Sequence, residues 1–98
     1  MKKRFVDEKD IAEFLKVLSC EWRVKIIEII DDREVCQCDL VKMFSIDFTT
    51  LSRHLKVLRD AGILRERKVG RRKYYSLKNK KILEIIKLSR QIIGEAKG

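Results

Sequence analysis

The chain has 98 residues, enough for one domain that buries only about 60 to 65% of its unfolded surface, so a second subunit is expected to add stability. Its 24 Lys plus Arg against 15 Asp plus Glu give a net charge of +9, which favours a polyanionic partner and, for a soluble chain, nucleic acid. No apolar run follows Met1-Lys2-Lys3-Arg4 as a signal peptide requires, and no stretch approaches the roughly 18 apolar residues of a membrane span, so a cytoplasmic location is expected.

In chain order, periodicity predicts five helices and one hairpin within a single domain over residues 1–98. The first helix runs from about Asp7 to Leu18, with Ile11, Phe14, Leu15 and Leu18 on one face and acidic residues at its positive end. A second, from Trp22 to Ile30, is dense enough in isoleucine and valine to be the buried central helix. A short helix from about Cys36 to Phe44 follows, then a break at Ser45-Ile46 and a helix capped by Asp47 that runs to about Ala61 and stops at Gly62. Two helices joined by so short a turn form a helix-turn-helix, here spanning 36–61.

Spaced at about 100° per residue, Phe48, Leu51, Leu55, Leu58 and Gly62 fall on the inner side of the second helix of that pair. Thr49, Ser52, Arg53, Lys56 and Asp60 fall on the outer side. Short hydroxyls suit bases or phosphates, an arginine can bond bidentately to guanine, and a lysine neutralises a phosphate. The DNA-contact candidates on this helix are thus Thr49, Thr50, Ser52, Arg53 and Lys56, with His54 as a packed or phosphate-bonded side chain. An ordinary solvated face is the plainer alternative, but the hydroxyls and cations cluster toward the helix start, where base contacts are made.

Ile63 to Lys68 and Lys73 to Leu77 read as two strands around Gly70, giving a two-stranded wing over 63–77. Its tip crowds Lys68, Arg71, Arg72 and Lys73, which burial together would penalise severely, so it projects into solvent or onto phosphate. The last helix, within 79–94, carries Ile82, Ile85, Ile86, Ser89, Ile92 and Ile93 as one stripe. With Ile11 and Phe14 of the first helix, that stripe is expected to form a homodimer interface.

Three cysteines in a reducing compartment argue against a disulfide framework and for metal or thiol chemistry. Cys36 and Cys38, two residues apart, stand about 200° apart on an ideal helix, so one ion held by both is expected to distort the first turn of the helix that contains them. The helix start favours thiolates, and soft thiolates select arsenite or antimonite, or cadmium, lead or zinc. A third ligand is needed. Cys20 is a weaker candidate, because the second helix holds it roughly 15 Å from Cys36 within one chain; water, an external small thiol or Asp39 remain.

Nearly the whole chain, from about Ile11 to Leu77, resembles the ArsR/SmtB family of winged-helix metal-responsive repressors. Glu34-Val35-Cys36-Gln37-Cys38-Asp39-Leu40 is similar to the thiolate metal box of its arsenic and cadmium branch, differing at Val35 and Gln37. Thr50-Leu51-Ser52-Arg53-His54-Leu55-Lys56-Val57-Leu58-Arg59-Asp60-Ala61-Gly62-Ile63 resembles the family's recognition helix, and Gly70-Arg71-Arg72-Lys73-Tyr74-Tyr75 its wing. Leu18-Ser19 with Arg23 is similar to the approach to the second helix, where Cys20-Glu21-Trp22 departs from the usual Asp-Pro-Thr, and Phe48 stands where the family has glutamine. The resemblance implies a homodimeric repressor that leaves a palindromic operator when an inducer ion binds. The family's C-terminal zinc site is missing, since Ile82 to Ile93 holds no histidine. An alternative on the same scaffold is oxidation or persulfide sensing by Cys36 and Cys38. A thiol-redox enzyme is disfavoured, because the strand and helix alternation of thioredoxin is missing; no organic cofactor and no membrane partner are expected.

Overall fold

A computed structural model describes residues 5–98; the basic segment Met1 to Arg4, considered above as a targeting signal, lies outside the described residues. The elements are α1 (Glu8–Leu18), α2 (Glu21–Ile30), β1 (Val35–Cys36), α3 (Gln37–Met43), α4 (Phe48–Asp60), β2 (Leu64–Val69), β3 (Arg72–Leu77) and α5 (Lys81–Lys97). This is a winged helix-turn-helix, mainly helical as expected.

Local chemistry explains the boundaries. Asp7 and Asp10 close a capping box on α1, each carboxylate accepting the other's backbone N–H at 3.0 and 3.2 Å. Asp47 caps α4, its carboxylate accepting the Thr50 N–H at 2.8 Å. At the other end Gly62 turns left-handed at φ 79°, and the Ile63 N–H reaches back to the Leu58 carbonyl at 3.0 Å, so the chain leaves the helix directly into β2.

The sheet has three antiparallel strands in the order β1-β3-β2, not the two expected. Val35 faces Tyr75 and Cys36 faces Tyr74, so Cys36, expected to start the third helix, instead ends a short strand that pairs with β3. Both are buried, and an extended backbone gives their amides and carbonyls ladder partners that a helix end would leave open. The wing itself pairs Leu64 with Leu77 through Val69 with Arg72, leaving Gly70 and Arg71 as a two-residue loop in which Gly70 takes φ 60°.

The core is centred on α2, where Ile26, Ile27 and Ile30 are fully buried against Leu40 of α3, Leu51, Leu55 and Leu58 of α4, and Leu64 of β2. The α5 stripe divides. Ile82 and Ile86, expected at a subunit interface, are 4% and 7% exposed within the single chain and belong to its own core. A domain this small needs the first half of α5 as a lid over α2, and Arg90 also pairs with Glu28 there, its Nη2 donating to Oε1 at 2.8 Å. Farther along, Ile92 and Ile93 are 65% and 54% exposed, and Ser89 and Ile11 also lie open, while Phe14 and Ile85 are half-buried. No helix of the described residues is long and apolar enough to cross a membrane.

Candidate nucleic-acid interface and cysteine pair

On α4 the division into faces follows the periodicity at Leu51, Leu55 and Leu58, which are buried, and at Thr49, Arg53 and Lys56, which are exposed. Ser52 is half-buried. Phe48, predicted on the inner side, is 58% exposed. It is the first residue of α4, one turn before Leu51, and the core does not reach that far.

Two candidate contacts are already engaged inside the chain. Thr50 serves the cap: its hydroxyl and then its N–H hold the Asp47 carboxyl below the usual carboxylate range. His54 accepts a hydrogen bond at Nδ1 from Arg23 Nε at 3.2 Å, and burial, followed by the charges of Arg23 and Arg53, lowers its pKa. The ring is therefore neutral near pH 7 and joins α2 to α4. Lys68, Arg71 and Arg72 stand open at the wing, and Lys73 is half-buried.

The wing is fixed to the body at two points. Arg67 of β2 forms a two-pronged pair with Glu34 ahead of β1, at 2.9 and 2.7 Å. Arg59 of α4 and Tyr75 of β3 both donate to the same oxygen of Glu66, each at 3.0 Å. The recognition helix and the hairpin consequently share one rigid frame.

Cys36 does not begin a helix. It is the extended N-cap of α3 at φ −70°, ψ 139°, with its sulfur accepting the Cys38 N–H at 3.3 Å. The expected separation of about 200° applies only between helical residues, and here the extended Cys36 folds back over the first turn. Cys36 and Cys38 are joined as a disulfide with Cα atoms 5.2 Å apart. The two sulfurs come together because Cys36 is extended and precedes α3, not because both lie on its first turn. A crosslink spanning one residue closes no long loop and is not a structural framework. Cys20, the N-cap of α2, is free and half-buried, and among the described residues no three His, Cys, Asp or Glu side chains gather to hold an ion. Among the described residues Cys36 and Cys38 thus bring two sulfur donors together, two fewer than a tetrahedral centre takes.

Gln37, a departure from the family's metal box, has no role predicted from the sequence. It is 6% exposed, and its Nε2 donates to Ser52 Oγ on α4 at 2.7 Å. A signal exists: Gln37, Leu40, Val41 and Phe44 follow i, i+3, i+4, i+7 spacing, so a glutamine heads the inward stripe of α3. A cavity of about 210 Å³ opens beside it, lined by Cys36, Cys38, Phe48 and Ser52 on one side and Arg71, Arg72 and Lys73 on the other. The cysteine pair therefore faces the groove between recognition helix and wing.

A capped second helix with outward hydroxyls and cations, beside a basic hairpin locked to it, defines a winged helix-turn-helix DNA-binding domain. Residues 20–66 match the family model described as bacterial regulatory protein, arsR family. The chain is 35% identical over 83 residues to the cadmium resistance transcriptional regulatory protein CadC of Listeria innocua, covering 84% of this chain and 70% of that protein. It is 36% identical over 86 residues to the arsenical resistance operon repressor of Staphylococcus xylosus, covering 88% and 82%. The crystal structure of Rv0081 from Mycobacterium tuberculosis superposes with a TM-score of 0.81 at 29% identity, covering 90% of this chain and 89% of that one. This chain belongs to the ArsR family of transcriptional regulators.

Proposed function

We propose that the protein is a cytoplasmic homodimeric repressor, with no enzymatic activity, that leaves its operator when a thiophilic metal or metalloid engages Cys36 and Cys38. The observation that carries this reading is the position of the two sulfurs, side by side in a cavity whose other walls are the recognition helix and the wing cations. The similarity to a cadmium regulator and to an arsenical repressor supports a soft inducer, with arsenite and antimonite favoured and cadmium, lead and zinc as further candidates. Cys36 and Cys38, once reduced, would hold such an ion as thiolates, with water, an external thiol or Asp39 as candidates for the remaining place; the ion would supply soft Lewis-acid bonding to sulfur. Thr49, Ser52 and Arg53 would face bases, while Lys56, Lys68, Arg71, Arg72 and Lys73 neutralise phosphates.

A second reading has its own support: the cysteines are paired as a disulfide, so oxidation alone could be the signal. Gel-shift on the DNA upstream of its own gene separates the two. Under reducing conditions, arsenite, antimonite, cadmium, lead and zinc are added in turn; release by one or more of them supports ion sensing, and the Cys36→Ser/Cys38→Ser variant should bind the same DNA but fail to release. Release only on oxidation selects the redox reading. Simultaneous loss of DNA binding and response in the double variant would show that the pair is structural.

A further inference from the structure

Resting on the reading of Cys36 and Cys38 as the sensing pair, we infer that Gln37 is the positioning residue that carries the state of that pair to the DNA-reading helix through its hydrogen bond to Ser52. Gln37 is bonded in sequence to both cysteines, and its Nε2 donates to Ser52 Oγ at 2.7 Å. Because the Ser52 oxygen accepts from the amide, its own proton is left to be donated elsewhere, and Ser52 sits at the cavity that opens between α4 and the wing. Gln37 thus sets the direction in which a DNA-facing hydroxyl donates.

The coupling is physical. Cys36 is an extended cap whose sulfur accepts the Cys38 N–H at 3.3 Å across the Gln37 residue. The Gln37–Ser52 bond is present with the sulfurs joined as a disulfide; opening that disulfide and placing an ion on the two sulfurs changes the acceptor and the constraint on both sides of Gln37, and would turn the peptide units that flank it. Gln37 is 6% exposed, lines the cavity on one side and is tethered to Ser52 on α4, so a turn of its backbone moves the amide relative to Ser52 and strains or breaks that bond. Since α3 does not need to bend for the sulfurs to meet, this bond supplies a shorter route to α4 than distortion of the whole helix. A hydrophobic residue at this position would pack there but would carry no such directional link.

The test uses the full-length reduced protein and cadmium as the probe ion, followed in parallel by operator affinity and by the ultraviolet sulfur-to-metal charge-transfer band. The wild type is expected to show operator affinity falling about 5- to 150-fold when cadmium binds. Gln37→Met keeps length and burial without the amide; it should retain the charge-transfer band while the ratio of operator affinities without and with cadmium drops toward one. Ser52→Ala cuts the same bond from the other side of the cavity, and its ratio should fall equally, with no further fall in the double variant. Gln37→Glu, which makes Ser52 the donor, should not restore the ratio. A wild-type ratio in Gln37→Met, or in Ser52→Ala should the first variant fail to fold, overturns the inference while leaving ion sensing intact. A ratio of one in the wild type removes the sensing reading itself, and this inference with it.

Discussion

Tyr75 donates its hydroxyl to Glu66 at 3.0 Å, and Arg59 donates to the same carboxylate oxygen, so one side chain of β2 ties the end of the recognition helix to the inner strand of the wing. Burial alone would raise the Glu66 pKa, but the Tyr75 hydroxyl and then the Arg59 guanidinium outweigh it and hold the carboxyl below its usual range. Burial and the same carboxylate push the Tyr75 phenol well above its ordinary value.

Replacing Tyr75 with Phe removes a hydrogen bond to a charged acceptor and should cost about 1.5 to 3 kcal/mol, read as a fall of roughly 4 to 8 °C in Tm per kcal/mol for a domain of this size. The pH dependence has a definite sign. A carboxyl with a depressed folded pKa stabilises the protein above its unfolded value and loses that contribution as pH falls through the folded value. The Tyr75→Phe deficit should therefore be full at neutral pH and shrink below pH 4.5, the ordinary Glu66 value. A deficit independent of pH would mean that the phenol acts by packing alone.

His54 makes a prediction at milder acidity. Burial, then Arg23 and Arg53, lower its pKa beneath the ordinary 6.5. The unfolded chain then takes up the proton first, so the histidine costs nothing above pH 6.5 and removes stability as pH falls from there through the folded value. His54→Gln leaves an acceptor for Arg23 but cannot titrate. Denaturant unfolding should show the wild type losing stability relative to this variant below pH 6.5, with a constant difference above it; parallel curves throughout would show that the ring titrates as it does in the unfolded chain.

The sequence made the scaffold legible wherever a local rule and the tertiary environment agree. Asp47 announces its helix by capping chemistry, Gly62 ends it by tolerating positive φ, and Leu51, Leu55 and Leu58 declare the inner face by spacing. The strand at Val35 and Cys36 is not legible, and Cys36 reads as helical, because a two-residue strand has no period of its own and is defined only by Tyr74 and Tyr75 across the ladder. The cysteine geometry follows from this one residue: a helical Cys36 points its sulfur away from Cys38, whereas an extended Cys36 brings the two together. The part Gln37 plays is not legible in sequence, because a hydrogen bond to Ser52 fifteen positions away exists only once α3 and α4 are packed. Ile82 and Ile86 show a further limit, since an amphipathic stripe says that a face is covered and not whether the cover is the same chain or another.

Arg71 and Arg72 stand exposed at the wing tip and form no ion pair among the described residues, in contrast to Arg67, which is held by Glu34. If both meet phosphates, Arg71→Ala/Arg72→Ala should weaken binding to specific and random DNA alike and lower the slope of log affinity against log salt by about 1.8, at roughly 0.9 per phosphate contact. Sequence preference should be unchanged, because a phosphate carries no base information. Loss restricted to the operator, with the salt slope intact, would instead assign these arginines to base edges.

The outer half of α5 leads to the last prediction. Leu88, Ile92 and Ile93 are exposed on α5, as are Ile11 and Leu15 on α1, and none of these five joins the core of the single chain. Five large apolar side chains on two helices are a substantial unburied surface for a domain of this size, and covering them with a twofold-related copy would set two recognition helices about 34 to 36 Å apart, one turn of DNA. Because these positions lie outside the core, Leu88→Glu/Ile92→Glu should fold with a near-wild-type circular dichroism spectrum yet sediment as a monomer, since a carboxylate pair facing its symmetry mate would be desolvated without a partner. Operator affinity should fall by far more than the charge change explains, because each half-site would be bound alone. A double variant that still sediments as a dimer would place the subunit contact on another face and leave the exposed stripe for a different partner.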